Sequence, residues 1–289
     1  NIAVLSGYPY SADISYNSQQ YQWSVDNNTV NTGSVPSGLA NPDLTWETSH
    51  QVDLGLDARF LNNRLTFGLD YFDKNTKDLL VDKNNVYEVG INTSTVNAGS
   101  INNRGIELEL GWQDQVGDFH YSINANFSTL KNKVTYLDQS VPRIIGTQPQ
   151  GVKLYTAFEE GATVWYMRGY QAEGVDPKTG QGIYKDINSD GIIDDNDLTD
   201  VGSGIPDLTY GITANFAYKN FDLTIFGTGV YGNEIFPSAF RIDRPSCNAY
   251  TYYYENRWTP EHTNAKVPAL NTWDQTFLSS TLNVFAGSY

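Results

Sequence analysis

The chain has 289 residues, of which 18 are basic and 33 acidic, so its formal net charge at pH 7 is −15. A surface this acidic repels the phosphates of nucleic acids, which argues against nucleic-acid binding. No stretch approaches the roughly 20 consecutive apolar residues of a membrane-spanning helix, and the single cysteine, Cys247, excludes an internal disulfide.

Six segments alternate apolar and polar residues, which sends successive side chains to opposite faces and predicts β-strands. In the first, 50–60, Val52 and Leu54 share one face while Asp53 and Asp57 share the other. The same period recurs at 64–73, 104–113, 119–129, 208–218 and 221–231. The apolar faces end in aromatic residues and the polar faces carry charges. This pattern fits a lipid-facing barrel with a wet interior, and it also fits a soluble sandwich.

The connections between these segments alternate between short and long. The short ones are 61–63, 115–118 and 219–220, and the long ones are 74–103, 130–207 and the tail after 232. Outer-membrane barrels have short periplasmic turns and long extracellular loops, whereas long loops are rare in compact soluble domains. The alternation therefore favours the barrel. It places the short turns in the periplasm and 131–206 outside the cell, including the strand-like piece Val164–Tyr170.

An acidic motif at 186–197 matches the calcium loop of an EF-hand, with oxygen-bearing side chains at positions 1, 3, 5, 9 and 12 and Gly191 at position 6. The predicted ligands of one structural Ca²⁺ are Asp186, Asn188, Asp190, the Ile192 carbonyl, Asp194 and Asp197. These carboxylates repel one another unless a cation lies between them. Position 12 is Asp rather than Glu, which predicts modest affinity. The alternative is an acidic loop without metal.

Aromatic residues near the C-terminus form a weaker candidate site for substrate. Its members are Tyr252, Tyr253, Tyr254 and Trp258. Their rings could stack on sugars or peptide side chains, or they could pack inside a loop. The histidines, at 50, 120 and 262, lie in different segments without metal-ligand spacing, and no nucleophile or phosphate-loop motif is present. The sequence therefore predicts no catalytic residues and no enzyme.

One family resemblance rests on short runs in a fixed order across residues 40–289. The run 41–47, NPDLTWE, resembles the NP.L.WE signature of SusC/RagA-type TonB-dependent transporters. The further matching runs are Gly55-Leu56-Asp57, Asn63-Arg64-Leu65, Asp70-Tyr71-Phe72, Thr76-Lys77-Asp78-Leu79-Leu80, Asn97-Ala98-Gly99, Asn103-Arg104-Gly105-Ile106-Glu107-Leu108, Asp186-Ile187-Asn188-Ser189-Asp190-Gly191, Tyr218-Lys219-Asn220-Phe221-Asp222-Leu223 and Arg257-Trp258-Thr259-Pro260-Glu261.

The resemblance implies an all-β fold, an antiparallel transmembrane β-barrel of about 22 strands, of which six are clear here, with long extracellular loops. It implies import of oligosaccharides or peptides across the outer membrane of Bacteroidetes-type bacteria, a SusD-like surface lipoprotein as lid, and TonB as energy source. Residues 1–48 would be an extracellular loop and strand entry, and 131–206 and 233–289 extracellular loops. The plug domain and TonB box have no counterpart, so we expect a partial chain that cannot transport alone.

Two other functions stay open from the residues. The first is a calcium-binding, β-rich structural or adhesive protein of the cell surface, and the second is a passive porin. The exposure of Leu54, Phe67 and Leu108 discriminates between a membrane barrel and a soluble protein. These side chains face lipid in a barrel, whereas they lie in a closed core in a soluble protein.

Overall fold

The computed structural model describes residues 14–23, 31–36, 41–84, 93–146, 148, 152–237, 250–269 and 275–287. Cys247 and parts of the predicted extracellular segments 1–48 and 233–289 lie outside these ranges. Among the described residues, no helix is long and apolar enough to cross a membrane.

Antiparallel strands make up most of the described chain. In chain order they are β1 (Ile14–Trp23), β2 (Asn31–Pro36), β3 (Thr48–Phe60), β4 (Leu65–Asn84), β5 (Thr93–Val116), β6 (Phe119–Thr129), β7 (Lys131–Leu137), β8 (Ile144–Ile145), β9 (Tyr155–Phe158), β10 (Tyr166–Tyr170), β11 (Ala172–Val175), β12 (Gly182–Tyr184), β13 (Leu198–Asp200), β14 (Leu208–Tyr218), β15 (Phe221–Tyr231), β16 (Glu234–Ile235) and β17 (Phe285–Ala286). The α-helices are α1 (Thr251–Asn256) and α2 (Gln275–Leu278).

The main sheet contains all six predicted strands, in the order β15-β14-β6-β5-β4-β3, with β7 paired to β5. Its three hairpin turns lie at one end of the sheet. The strands that lead into them, β3, β5 and β14, all run in the same direction, because every pair of neighbouring strands is antiparallel. Asn62 and Asn63 adopt positive φ angles of 57° and 67°, a conformation that asparagine tolerates better than most residues. The long connections leave from the opposite end, as the loop lengths predicted.

The strand register aligns the apolar faces of neighbouring strands into continuous rows. One row contains Leu56, Leu69, Leu108, Phe127 and Tyr210, and the next contains Ala58, Phe67, Leu110, Ala125 and Ile212. Many side chains of this apolar face are open to the surroundings: Leu54 is 66% and Ile225 56% exposed, and Phe67 and Leu108 are partly exposed. Soluble monomers rarely expose an apolar surface this extensive. The soluble-sandwich alternative is therefore wrong, and the sheet is part of an unclosed barrel wall with its apolar face toward lipid.

The opposite face of the same sheet is polar, as the alternation predicted. Asp57, Gly68, Glu109, Asn126 and Gly211 form one cross-strand row. Charged side chains on this face need water, so it lines the interior of the barrel.

Two strands are much longer than the sequence period indicated. β4 has 20 residues and β5 has 24, whereas a tilted membrane strand needs about 9–11. The predicted connection 74–103 is therefore mostly a paired hairpin that continues the two strands. Beyond Leu130, β7 continues the line of β6 and pairs with β5 at 99–104. The three strands thus rise out of the membrane-spanning sheet as one extension.

The two long excursions at the loop end share one hydrophobic core. It joins residues from both stretches, namely Val152, Leu154, Met167, Val201, Tyr253, Val267, Phe277 and Leu278. A small sheet in the order β13-β10-β9-β8 supplies part of it, and the pairing of β16 with β17 adds to the same region. The strand-like piece predicted at 164–170 is strand β10. The described parts of 144–201 and 250–287, which lie in the two loops predicted as separate, therefore pack together; we call this unit the cap.

Candidate functional site

The predicted calcium loop lies between β12 and β13 on the surface of the cap. Its first carboxylate accepts backbone hydrogen bonds, because Asp186 Oδ1 receives the N–H of Ser189 at 2.6 Å and Asp186 Oδ2 that of Gly191 at 2.7 Å. Asp190 Oδ1 accepts the N–H of Ile192 at 2.8 Å. Ser189 and Gly191 have positive φ angles of 61° and 85°, which let the backbone turn tightly around the first carboxylate.

Asp197 closes this loop from inside the protein. Its side chain is fully buried, and its two carboxylate oxygens accept the backbone N–H groups of Asp194 and Ile187, each at 2.8 Å. The pKa of Asp197 lies below its ordinary value, mainly because its carboxylate accepts the backbone N–H of Asp194. The N–H groups of Ile187 and Asn188 lower it further. Backbone N–H groups therefore stabilise the negative charge of the clustered carboxylates, a role that the sequence pattern alone attributes to a cation.

The residue types and spacing of the loop fit calcium, because carboxylate and amide oxygens are the ligands it prefers. Among the described residues, no group of three or more His, Cys, Asp and Glu side chains is arranged to hold a metal ion. Asp186 Oδ1 accepts two N–H groups, from Ser189 and Asp190, whereas Asp186 Oδ2 and Asp190 Oδ1 each accept one backbone N–H and keep a further lone pair for an ion. Calcium at these residues stays a prediction.

We expect Asp190→Ala to weaken calcium binding by about tenfold or more, because it removes a charged ligand at position 5. Isothermal titration of the detergent-purified full-length protein checks this, with Asp195→Asn as the matched control. Asp195 lies in the same segment but contacts Lys153 at 2.5 Å instead of the loop interior. Chelation should increase proteolysis near 186–197 and leave the barrel folded. Equal calcium binding by both variants would show that Asp190 is not a ligand, and no calcium binding by the wild type would show an acidic loop without metal.

Tyr253, one of the four predicted substrate-binding aromatics, is part of the cap core. It is 2% exposed, its hydroxyl donates a hydrogen bond to Asn283 Oδ1, and its ring meets those of Phe277 and Phe285 edge-on. Burial raises the pKa of Tyr253 to about 12. The structure therefore supports the packing alternative at Tyr253, whose ring is enclosed by the cap.

Trp258 also has a structural contact that the sequence did not indicate. Its indole Nε1 donates a hydrogen bond to the carbonyl of Pro177 at 3.0 Å, and its ring covers Gly180 so closely that a Cβ there would lie 2.5 Å from it. Tyr252 and Tyr254 remain exposed, at 38% and 64%, and the Arg257 guanidinium lies 3.8 Å from the centre of the Tyr254 ring. A substrate contact at Tyr252, Tyr254 and Trp258 stays a prediction.

A contact missed by the sequence analysis explains why the 41–47 run and the Asn97-Ala98-Gly99 run belong together. The Asn97 side chain accepts the N–H of Thr45 at 2.9 Å and donates to the carbonyl of Thr45 at 2.9 Å and to that of Asp78 at 2.7 Å. Asn41 donates to the carbonyl of Thr95 at 3.0 Å. The segment before β3 is thus fastened to the β4–β5 extension. Both runs are recognisable in the sequence, but nothing in the local pattern of either indicates that they contact each other.

A second unpredicted cluster stabilises the small sheet of the cap. Glu159 pairs with Arg143 through contacts of 2.7 and 3.0 Å and accepts the hydroxyl of Tyr166 at 2.6 Å. The hydrogen bond from Arg143 is the main reason that the pKa of Glu159 lies below its ordinary value. The cluster joins β9, β10 and the segment before β8.

Comparison with known families and proteins gives one consistent match. Residues 7–283 match the model of the family described as TonB dependent receptor-like, beta-barrel. TonB-dependent receptor P26 of Formosa agariphila is 31% identical over 266 residues, 84% of this chain and 27% of that protein. TonB-dependent receptor SusC of Bacteroides thetaiotaomicron is 30% identical over 231 residues, 74% of this chain and 20% of SusC. The chain spans about a quarter of the length of the curated relatives it matches.

Solved structures share the fold over nearly the whole chain. The RagAB peptide importer in its open-open state superposes with a TM-score of 0.72 at 22% identity, covering 97% of this chain and 30% of that one. A further structure of the RagAB peptide transporter gives a TM-score of 0.70, also at 22% identity, and covers 97% of this chain and 31% of that one. At this identity the likeness concerns the fold.

Proposed function

The chain belongs to the TonB dependent receptor-like β-barrel family, and we propose that it forms part of the barrel wall of an importer for oligosaccharides or peptides. Proteins of this family are outer-membrane transporters, so the chain is an outer-membrane β-barrel protein and not an enzyme. One observation carries the proposal. A sheet with one exposed apolar face and one charged face separates lipid from a wet passage.

The proposed partners follow from the same relatives. A SusD-like surface lipoprotein would cover the open end of the passage, and TonB would supply energy through a plug domain within the barrel. The exposed Tyr252 and Tyr254 on the cap are the proposed contacts with cargo. Peptide cargo is supported by the likeness in fold to RagAB, described as a peptide transporter. Glycan cargo rests on the family resemblance of the sequence alone.

The orientation we propose puts the cap outside the cell and the hairpin turns in the periplasm. In a Cys247→Ser background of the full-length protein, we expect Lys178→Cys in the cap to react with a membrane-impermeant maleimide on intact cells. Asn220→Cys, in the β14–β15 turn at the opposite end, should react only after lysis. Labelling of Asn220→Cys from outside intact cells would reverse the orientation.

Import itself is tested in cells that lack the full-length protein. We expect loss of uptake of either fluorescent oligosaccharides or fluorescent peptides, and recovery when the full-length gene is restored. Recovery should fail in a strain without TonB, because the proposed transport is energised. Uptake that persists without TonB would favour a passive porin. Unchanged uptake with reduced adhesion of the cells would favour the surface-structural alternative.

A further inference from the structure

Basic side chains cluster on the lipid-facing side of the main sheet. They lie next to the apolar rows, at the end of the sheet from which the long connections leave. Arg104 lies on β5, and Lys131 on β7 is its direct cross-strand partner. Lys133 is the partner of Asn102, two residues before Arg104. All three basic side chains are exposed. We call Arg104, Lys131 and Lys133 the basic cluster.

The strand register puts the basic cluster on the lipid-facing side. Arg104 is an even number of residues from Ile106 and Leu108, so all three side chains leave the same face of β5. The row next to the cluster contains Leu54, Tyr71 and Ile106, of which Tyr71 is 39% and Ile106 49% exposed. One step of two residues, about 7 Å along the strand, separates this row from the cluster.

The charges of the basic cluster are poorly compensated by the protein. Arg104 and Lys131 stand directly opposite each other, where like charges are destabilising. Asp73, the partner of Arg104 on the other side, offsets one of the three positive charges, and its Oδ1 accepts the amides of Asn75 at 3.0 Å and Asn102 at 2.6 Å. In the part of the chain that the structure describes, no ion pair joins a carboxylate to the cluster. The rest of the chain is strongly acidic, so this basic patch is not a general property of its surface.

We propose that the basic cluster binds the phosphate groups of lipid headgroups in the leaflet that surrounds this end of the barrel. Phosphates would relieve the repulsion between Arg104 and Lys131, and arginine can bind two phosphate oxygens at once. The position commits the site to lipid, because the cluster lies just past an apolar row that contains a tyrosine, the level at which headgroups meet a barrel. Lysine stems can lie along the apolar rows while their ammonium groups reach the headgroups. Only the identification of this leaflet as the outer one rests on the proposed function.

The test uses the full-length protein in detergent and native mass spectrometry with phosphorylated lipid A. We expect the triple variant Arg104→Gln, Lys131→Gln, Lys133→Gln to bind this lipid roughly a hundredfold more weakly, about fivefold for each basic residue. The matched control neutralises three exposed cap lysines, by Lys178→Gln, Lys185→Gln and Lys266→Gln, and should bind as the wild type does.

Further arms separate the phosphate contact from other causes. Lys131→Arg with Lys133→Arg should retain binding, and heat-modifiable mobility on a gel verifies that each barrel is folded. Lipid A with its phosphates removed should bind wild type and triple variant equally weakly. Equal binding of phosphorylated lipid A by the triple variant and the control would overturn the proposal, as would displacement of the lipid by inorganic phosphate at comparable concentration. Lipid binding in detergent requires neither import nor orientation, so its failure is distinct from failure of the uptake experiment.

Discussion

Replacing Leu108 with arginine in the full-length protein is expected to lower the free energy of unfolding by about 1–3 kcal/mol, because Leu108 lies on the lipid face one row inside the Ile106 row, between the interface and the bilayer midplane. Leu108 lies within the apolar rows, between Leu69 of β4 and Phe127 of β6. Its neighbours there offer no polar group that could solvate a guanidinium. Urea unfolding of the protein reconstituted in vesicles measures the loss.

The matched control is Glu109→Arg, one residue further along β5 and therefore on the opposite face. The row of Glu109 includes Asp57, and Glu107 lies on the same face, so a guanidinium there meets water and carboxylates. We expect a change below about 1 kcal/mol. Equal losses at the two positions would show that the two faces of β5 do not differ in their contact with lipid.

Replacing Gly105 with valine is expected to cost about 3 kcal/mol or more, at or beyond the upper end of overpacking effects, because the obstruction is backbone. A Cβ at Gly105 would lie 1.9 Å from the carbonyl oxygen of Thr129 and 2.8 Å from the ring of Phe72. Thr129 is the last residue of β6, where the line of that strand passes through Leu130 into β7. Relief of the clash requires β6 to move away from β5 at the point where the extension leaves the barrel.

Gly227→Val on β15 is the control for this substitution. A Cβ at Gly227 meets no atom within 4 Å, and valine favours strands. We expect folded yield and unfolding midpoint to stay near those of the wild type for Gly227→Val and to fall clearly for Gly105→Val. A Gly105→Val protein as stable as the control would mean that β6 yields at Thr129 without cost.

The sequence predicted the six membrane strands and their two faces because these depend on local alternation alone. Once β3 and β4 pair in register, the alternating residues of both strands align, and Leu56 falls beside Leu69 with no further information needed. Loop lengths likewise predicted that the three short turns share one end, since antiparallel neighbours joined by hairpins can arrange them in no other way.

The partners of residues distant in sequence could not be predicted in the same manner. The continuation of β4 to Asn84 and of β5 from Thr93 is supported by β7 and by the Asn97 contacts with Thr45, and the sequence there carries no period of two. Tyr253 and its neighbours Tyr252 and Tyr254 look alike in sequence, yet only Tyr253 meets Phe277 and Asn283. Which ring is buried depends on a segment more than twenty residues away.

By itself, the sequence determined the strand type, the lipid-facing and water-facing sides, and a loop whose acidic residues have calcium spacing. The tertiary structure alone decided that the two excursions form one cap, that Asp197 receives backbone N–H groups inside it, and that Arg104 stands against Lys131 above the apolar rows. The physical reason is the distance along the chain over which each feature is determined. Alternation is set by the pleat of each strand, whereas burial and charge pairing depend on which distant segments pack together.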